Sequence, residues 1–262
     1  MLFDSHAHLD DELFDADRLA MIEGLPGRGV SHVVNVGCSL ETSKSAIQMS
    51  ENYPFIHAAV GVHPHDAEGM KDQDLDALLQ LARHPNVVAI GEIGLDYYYE
   101  NSPREIQKKR FADQLELAVQ TQLPVIVHSR DAQSDTMEML EAYRSRLKGC
   151  VLHCYSGSWE MAKVYVNMGF MISLAGPVTF NNAVRPVEIA KKIDLNHLMI
   201  ETDCPYLAPH PYRGKRNDPG LVRFVAERIA QLRGMGTEEI ARITHDNACN
   251  FFGISQREGE YN

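Results

Sequence analysis

Eight short β-rich runs alternate with longer amphipathic stretches along this chain, and no other feature narrows its fold so far. The runs are Leu2–His8, His32–Gly37, Ile56–His63, Val87–Gly94, Pro124–His128, Cys150–Tyr155, Phe170–Leu174 and His197–Asp203. Between them lie stretches with helical periodicity: Leu75–Arg83, Pro103–Thr121, Asp131–Arg146, Glu160–Met168 and Val187–Ile193. Phe111, Leu115, Ala118 and Val119 recur at the spacing of a helix packed on a sheet. Parallel neighbours need a crossover between them, so this alternation predicts a parallel sheet closed into a (β/α)8 TIM-type barrel, α/β in class. An open doubly wound sheet is the competing arrangement. Pro103 suits the first turn of its helix, with Ser102 as its cap, and Gly149 and Gly169 fall where a left-handed residue ends a helix.

The length of 262 residues fits one such barrel. Residues 1–254 are read as a single domain, with a polar C-terminal tail over 255–262, frayed across Gln256–Asn262. The irregular segment Cys204–Pro219 is too long for a simple connector and reads as a functional loop. Leu221–Gln231 and Thr237–Phe252 read as closing helices.

A barrel of this kind builds its site at the carboxyl ends of its strands. There the chain places His6 and His8 on the first run, His63 on the third, Glu92 on the fourth, His128 on the fifth, His153 on the sixth and Asp203 on the eighth. His6 and His8 alternate onto one face of their strand. A lone strand-end histidine is commonly a hydrogen-bonded structural residue. Setting His63 aside, burying the other six ionisable groups together is costly unless a cation compensates them. Four imidazoles and two carboxylates exceed what one catalytic zinc uses, and suit two metals bridged by a carboxylate.

Composition removes other classes. The chain is 44% hydrophobic and 23% charged, as globular proteins are. No run approaches the ~18 apolar residues of a membrane span. The net charge of −11 gives no general attraction for a polyanion, so a phosphorylated substrate must be held by local groups or cations. Five cysteines without a C-x-x-C pair, and no signal-peptide pattern at Met1-Leu2-Phe3-Asp4, lead to the expectation of reduced thiols in the cytoplasm.

Six ordered motifs carry a resemblance: Asp4-Ser5-His6-Ala7-His8-Leu9-Asp10, Gly61-Val62-His63-Pro64-His65, Gly91-Glu92-Ile93-Gly94-Leu95-Asp96-Tyr97, Ile126-Val127-His128-Ser129-Arg130, His153-Cys154-Tyr155-Ser156-Gly157 and Glu201-Thr202-Asp203-Cys204-Pro205-Tyr206-Leu207. In this order they resemble the TatD family of metal-dependent deoxyribonucleases, within the amidohydrolase-like metallohydrolase barrels. The resemblance implies a magnesium-supported 3′–5′ exonuclease acting on 3′ ends of single-stranded DNA or RNA, with a part in DNA repair. It also implies two divalent metal ions, with zinc or manganese as other possible occupants. His6, His8, Glu92 and Asp203 would hold the first ion, and Glu92, His128 and His153 the second, with Glu92 bridging. Asp203 would also serve as base toward a metal-activated water, so that Asp203 and Glu92 are the catalytic pair.

Other roles stay open on the residues alone. His63 reads as a phosphate contact, a donor to a ligand or a structural loop residue. Glu201 would orient a ligand from one layer deeper. Arg130 would pair with a phosphate, or with Asp131 or Asp135. Tyr97 to Tyr99 would stack a terminal base or pack the loop. Arg213, Lys215 and Arg216 form a basic cluster after Asp203, read as substrate contacts overhanging the mouth or as a solvated face. Cys154 and Cys204 should point to the opposite strand face. Two metals would equally serve amide or ester hydrolysis, including removal of an aminoacyl group from RNA. A non-catalytic metal- or nucleic-acid-binding module is the reading from another class. A monomer is expected.

Overall fold

The computed structural model describes residues 1–255, so the tail Gln256–Asn262 lies outside the described residues. Eight strands form one parallel sheet in sequence order: β1 (Leu2–Ala7), β2 (Val30–Val36), β3 (Ile56–Val60), β4 (Val87–Asp96), β5 (Val125–Arg130), β6 (Cys150–Leu152), β7 (Met171–Leu174) and β8 (Leu198–Ile200). The sheet closes on itself beyond β8. The Cys204 segment bridges Ala7 in parallel, the Asp203 amide donates to the His6 carbonyl at 3.0 Å and the His8 amide to the Cys204 carbonyl at 2.9 Å. The molecule is thus the (β/α)8 barrel that the alternation predicts.

Around it run α1 (Arg18–Glu23), α2 (Leu40–Asn52), α3 (Asp72–Leu81), α4 (Arg104–Thr121), α5 (Gln133–Tyr143), α6 (Trp159–Asn167), α7 (Arg185–Lys192), α8 (Val222–Arg233) and α9 (Thr237–Phe252). Local chemistry sets their ends. Ser39 and Thr42 form a reciprocal capping box that starts α2, and the Ser158 hydroxyl accepts from the Met161 amide to start α6. Gly169 turns left-handed after α6, at φ 87°. Gly149 does not. A side chain there would meet the Phe251 ring, so close packing explains that glycine. Ser102 does not cap α4 either; Pro103 holds that position. The Ser102 hydroxyl donates instead to the His65 carbonyl at 2.8 Å and accepts the Glu68 amide at 3.0 Å, tying two mouth loops together. Among the described residues no helix is long and apolar enough to cross a membrane.

Two apolar layers follow from strand alternation. One lies between sheet and helices, where Phe111, Leu115 and Ala118 of α4 are buried. The other fills the barrel interior with Phe3, Val34, Ala59, Ile126, Val151 and Met199, and Ala248, Cys249 and Phe252 of α9 seal its amino end. Above this floor the interior turns polar. The Ser5 and Ser173 hydroxyls lie 3.2 Å apart across the barrel. Asp4 accepts the Thr202 amide and hydroxyl at 2.8 and 2.5 Å, locking β1 to the segment after β8.

Gly94 sits in β4 at φ 142°, where an added Cβ would collide with the His128 carbonyl oxygen on β5. Replacing it should therefore force the two strands apart. Gly94→Ala is expected to cost more than about 2 kcal/mol in urea unfolding. A midpoint within about 0.5 kcal/mol of the parent would show that this close approach is not needed.

Candidate metal centre

The strand ends surround a cavity of about 1030 Å³, lined among others by His8, His63, Glu92, His128, His153 and Asp203, with His6 buried beneath. All six expected ligands converge there. β3, β6 and β8 stop before their site residues, so His63, His153 and Asp203 project from the turns that follow. Asp203 is held at φ 55°, an uncommon backbone region for this residue type that the paired segments around it enforce.

Glu92 stands at the centre, 3% exposed. Its Oε2 faces His6 Nε2 at 3.3 Å and His8 Nε2 at 3.6 Å. Its Oε1 faces His153 Nε2 at 2.8 Å, His128 Nδ1 at 2.9 Å and His63 Nε2 at 3.4 Å. Asp203 Oδ1 closes the first group, 3.8 Å from His6 Nε2 and 3.6 Å from His8 Nε2. One carboxylate therefore joins two donor clusters. His6, His8 and Asp203 offer atoms within 4.8 Å of one another, as do His63, Glu92 and His128.

The outer ring nitrogens fix which tautomer each ring takes in its neutral, metal-ligating form. His8 Nδ1 donates to the Val36 carbonyl at 3.0 Å, His128 Nε2 to Asp96 Oδ2 at 3.1 Å and His153 Nδ1 to Glu201 Oε1 at 3.3 Å. A neutral imidazole that donates outward has a bare lone pair on its other nitrogen. In all three rings that lone pair points at Glu92. The inner nitrogens of His6 and His8 are 3.1 Å apart, and those of His128 and His153 are 3.3 Å apart. In the neutral His128–His153 pair acceptor faces acceptor, a repulsion that a cation between them removes. The donor set therefore fits divalent metal, with each outward partner fixing its ligand's orientation. His63 differs. Its Nδ1 accepts the His65 amide at 3.2 Å, so its Nε2 carries the proton and donates toward Glu92. Burial opposes charge on Glu92, yet the imidazoles around it, His153 foremost, hold it well below the usual carboxylate range. Burial also opposes charge on His153, but Glu92 and Glu201 raise it well above the usual imidazole range. Without an ion, protons are drawn into the cage, so metal and proton compete for it.

Two participants escaped the sequence reading. Asp96 receives His128 and His65 on Oδ2, at 3.1 and 3.0 Å, and the Tyr98 and Tyr99 amides on Oδ1, at 2.9 Å each. It lies four residues past Glu92 on the same strand, which was its available signal. Cys38, two residues past the end of β2, has its Sγ 3.7 Å from Glu92 Oε2, and burial pushes its thiol up.

Several expectations need correction. Arg213, Lys215 and Arg216 are exposed, but none lines the cavity. Arg216 is tied to both Asp17 carboxylate oxygens at 2.6 and 2.7 Å, and Arg213 lies 4.5 Å over the Phe180 ring. Tyr206 and Leu207 are the part of this loop that reaches the mouth. Cys154 does line the cavity, because β6 ends at Leu152 and a φ of 41° at Cys154 breaks the alternation. Arg130 lines it too. It pairs with neither nearby aspartate but lies 4.0 Å over the Tyr98 ring and 4.7 Å from the Tyr99 ring. Tyr97 is tied down, its hydroxyl donating to Asp135 at 2.7 Å.

The family model described as TatD related DNase matches residues 3–253. The uncharacterized metal-dependent hydrolase YabD of Bacillus subtilis is 47% identical over 255 residues, 97% of this chain and 100% of that protein. The 3′-5′ ssDNA/RNA exonuclease TatD of a Rahnella species is 36% identical over 264 residues, 98% of this chain and 100% of its own. Among solved structures, the TatD homolog YJJV from Escherichia coli superposes with a TM-score of 0.91 at 31% identity, covering 97% of this chain and 98% of that one. With a barrel shared from end to end and identity sustained over its full length, this chain belongs to the TatD-related DNase family.

Proposed function

We propose that this metal-dependent hydrolase is an exonuclease that cleaves phosphodiester bonds at the 3′ ends of single-stranded DNA, and of RNA as well. What carries the reading is the pair of donor clusters sharing Glu92, each aiming unprotonated nitrogens and carboxylate oxygens at one point. His6, His8, Glu92 and Asp203 would hold one ion, and Glu92, His128 and His153 the other. Two divalent ions there would supply Lewis-acid activation of water and of phosphoryl oxygens. Magnesium suits the carboxylates and a phosphate substrate, while the imidazoles also admit zinc or manganese.

The chain's own groups do the rest. Asp203 faces the open side of the first cluster and is the base that takes the proton of the attacking water. His63 Nε2–H is placed to donate to a non-bridging phosphate oxygen. The Arg130 guanidinium would pair with a phosphate at the rim, and the exposed Tyr98 and Tyr99 rings offer faces for a terminal base. The relatives named as 3′-5′ ssDNA/RNA exonucleases match this chain along nearly all of its length. That similarity favours phosphoryl over amide chemistry.

Labelled single strands with divalent metal should release mononucleotides from the 3′ end, and chelation should stop the release. Intact strands beside hydrolysed amide or aminoacyl-RNA substrates would assign the site to carbonyl chemistry instead. Affinity should fall gently with salt, by ~0.7 in log units per contacted phosphate; a steep slope would mean the protein grips long nucleic acid.

Asp203→Asn is expected to reduce turnover by at least about 100-fold while keeping part of the bound metal. Near-normal turnover in that variant would remove Asp203 from the role of base. Asp96→Ala frees His128 Nε2 and should weaken metal binding ~10–100-fold by titration calorimetry; unchanged affinity would mean that Asp96 does not orient that ligand.

A further inference from the structure

At the opposite, amino end of the barrel lies a second cluster of metal-ligating side chains that the hydrolytic site does not use. His32 on β2 shares its strand face with Val34, and His57 on β3 shares its face with Ala59, so both imidazoles point toward the barrel axis. His32 Nδ1 and His57 Nε2 are 3.1 Å apart. His245 and Cys249, four residues apart on α9, project from one helix face onto the same spot. Cys249 Sγ is 3.8 and 3.9 Å from the two His245 nitrogens. His32, His245 and Cys249 offer ligand atoms within 4.8 Å of one another. The Phe3 ring fixes the arrangement, its centroid 5.3 Å from that of His32, 6.5 Å from His57 and 6.0 Å from His245.

The surroundings are unusual for structural histidines. Among the described residues, neither His32 nor His57 is paired with a carboxylate, and each has the other as its ring hydrogen-bond partner. His245 has only Asp246, at 3.4 Å. Burial, with His245 nearby, pushes His32 down to about 4, and burial beside His32 pushes His57 down to about 3. Both are therefore neutral near pH 7, the form in which imidazole ligates. His32 and His57 are half-exposed, which leaves an entry path, whereas His245 and Cys249 are buried.

We propose that His32, His57, His245 and Cys249 form a structural metal site for a zinc-type ion, distinct from the hydrolytic centre. His32, His245 and Cys249 are within reach of one ion, and His57, which adjoins His32, would turn in to complete a tetrahedral N/S set of the kind that selects zinc over magnesium. Binding would displace the Cys249 thiol proton to solvent and form the metal–sulfur bond with no change of oxidation state. The ion would clamp α9, which seals the barrel floor, onto β2 and β3.

Cobalt(II) gives a readout that the hydrolytic centre need not share, because a cobalt–thiolate bond absorbs in the near ultraviolet. Cys38 also stands near imidazoles, so the titration is run on Cys38→Ser protein. A thiolate band of the intensity of one cobalt–sulfur site per chain is expected, and Cys249→Ser should abolish it. Absence of the band, or its survival in the Cys249→Ser protein, overturns the proposal. Cys249 is buried, so a second measurement uses a half-exposed ligand. With His128→Ala and His153→Ala disabling the mouth, zinc should raise the Tm by several degrees, and adding His57→Gln should remove that rise. A rise indifferent to His57→Gln overturns the proposal as well.

Discussion

Five imidazole nitrogens stand within 3.6 Å of one buried carboxylate, Glu92. A carboxylate 3% exposed would be strongly destabilised alone. Here its two oxygens are divided between the histidines of the β1 end on one side and, on the other, His128 of β5 and the histidines that follow β3 and β6. Every other element at the mouth serves to hold that division. Asp96 and Glu201 restrain the rings of His128 and His153 from behind, and the Val36 carbonyl restrains His8. Asp4 holds the segment that carries Asp203. The outer groups are the Val36 carbonyl and the Asp96 and Glu201 carboxylates, and Asp96 is satisfied by donors on both of its oxygens.

The barrel makes this possible through strand spacing around β4. A side chain at Gly61 would meet the Gly91 carbonyl, one at Gly91 would meet Ile126, and one at Gly94 would meet the His128 backbone. These glycines flank Glu92 in space, and their missing side chains let β3, β4 and β5 close until imidazoles from both neighbours reach one carboxylate. The close approach is thus a condition of the metal cage and not merely of the fold.

Much of this was legible in the residues. Alternating apolar runs and amphipathic stretches specify the barrel, because a parallel sheet admits few other connections. Strand-end His, Glu and Asp specify the cage, because the barrel brings those ends together. Strand ends themselves were less legible: β3, β6 and β8 stop short of their site residues, since turn residues such as Cys154 and Asp203 take left-handed conformations that alternation does not encode. Hence Cys154 faces the cavity after all. The basic loop misled for a related reason. Arg216 is positive, but whether it meets substrate depends on whether Asp17, far away in sequence, reaches it first, and it does. Asp96 was missed because its function is to hold another residue's ring, which no local pattern announces.

The two ends of the barrel use the same side chain to opposite effect. At the mouth, imidazoles are interleaved with carboxylates, so the cage carries negative charge and can accept hard divalent cations together with their phosphate ligands. At the floor, His32, His57 and His245 meet a thiol and an aromatic ring, and among the described residues the acid beside them is Asp246 at the edge of His245. Nitrogen and carboxylate oxygen donors mix at one end, and nitrogen and sulfur make up the other. The apolar interior of Phe3, Val34, Ala59 and Ile126 lies between them. That separation lets one small barrel present two cation environments of different softness without either drawing the other's ion. It also accounts for nine of the twelve histidines of this acidic chain, which stand at the two ends as neutral donors that can take up a cation.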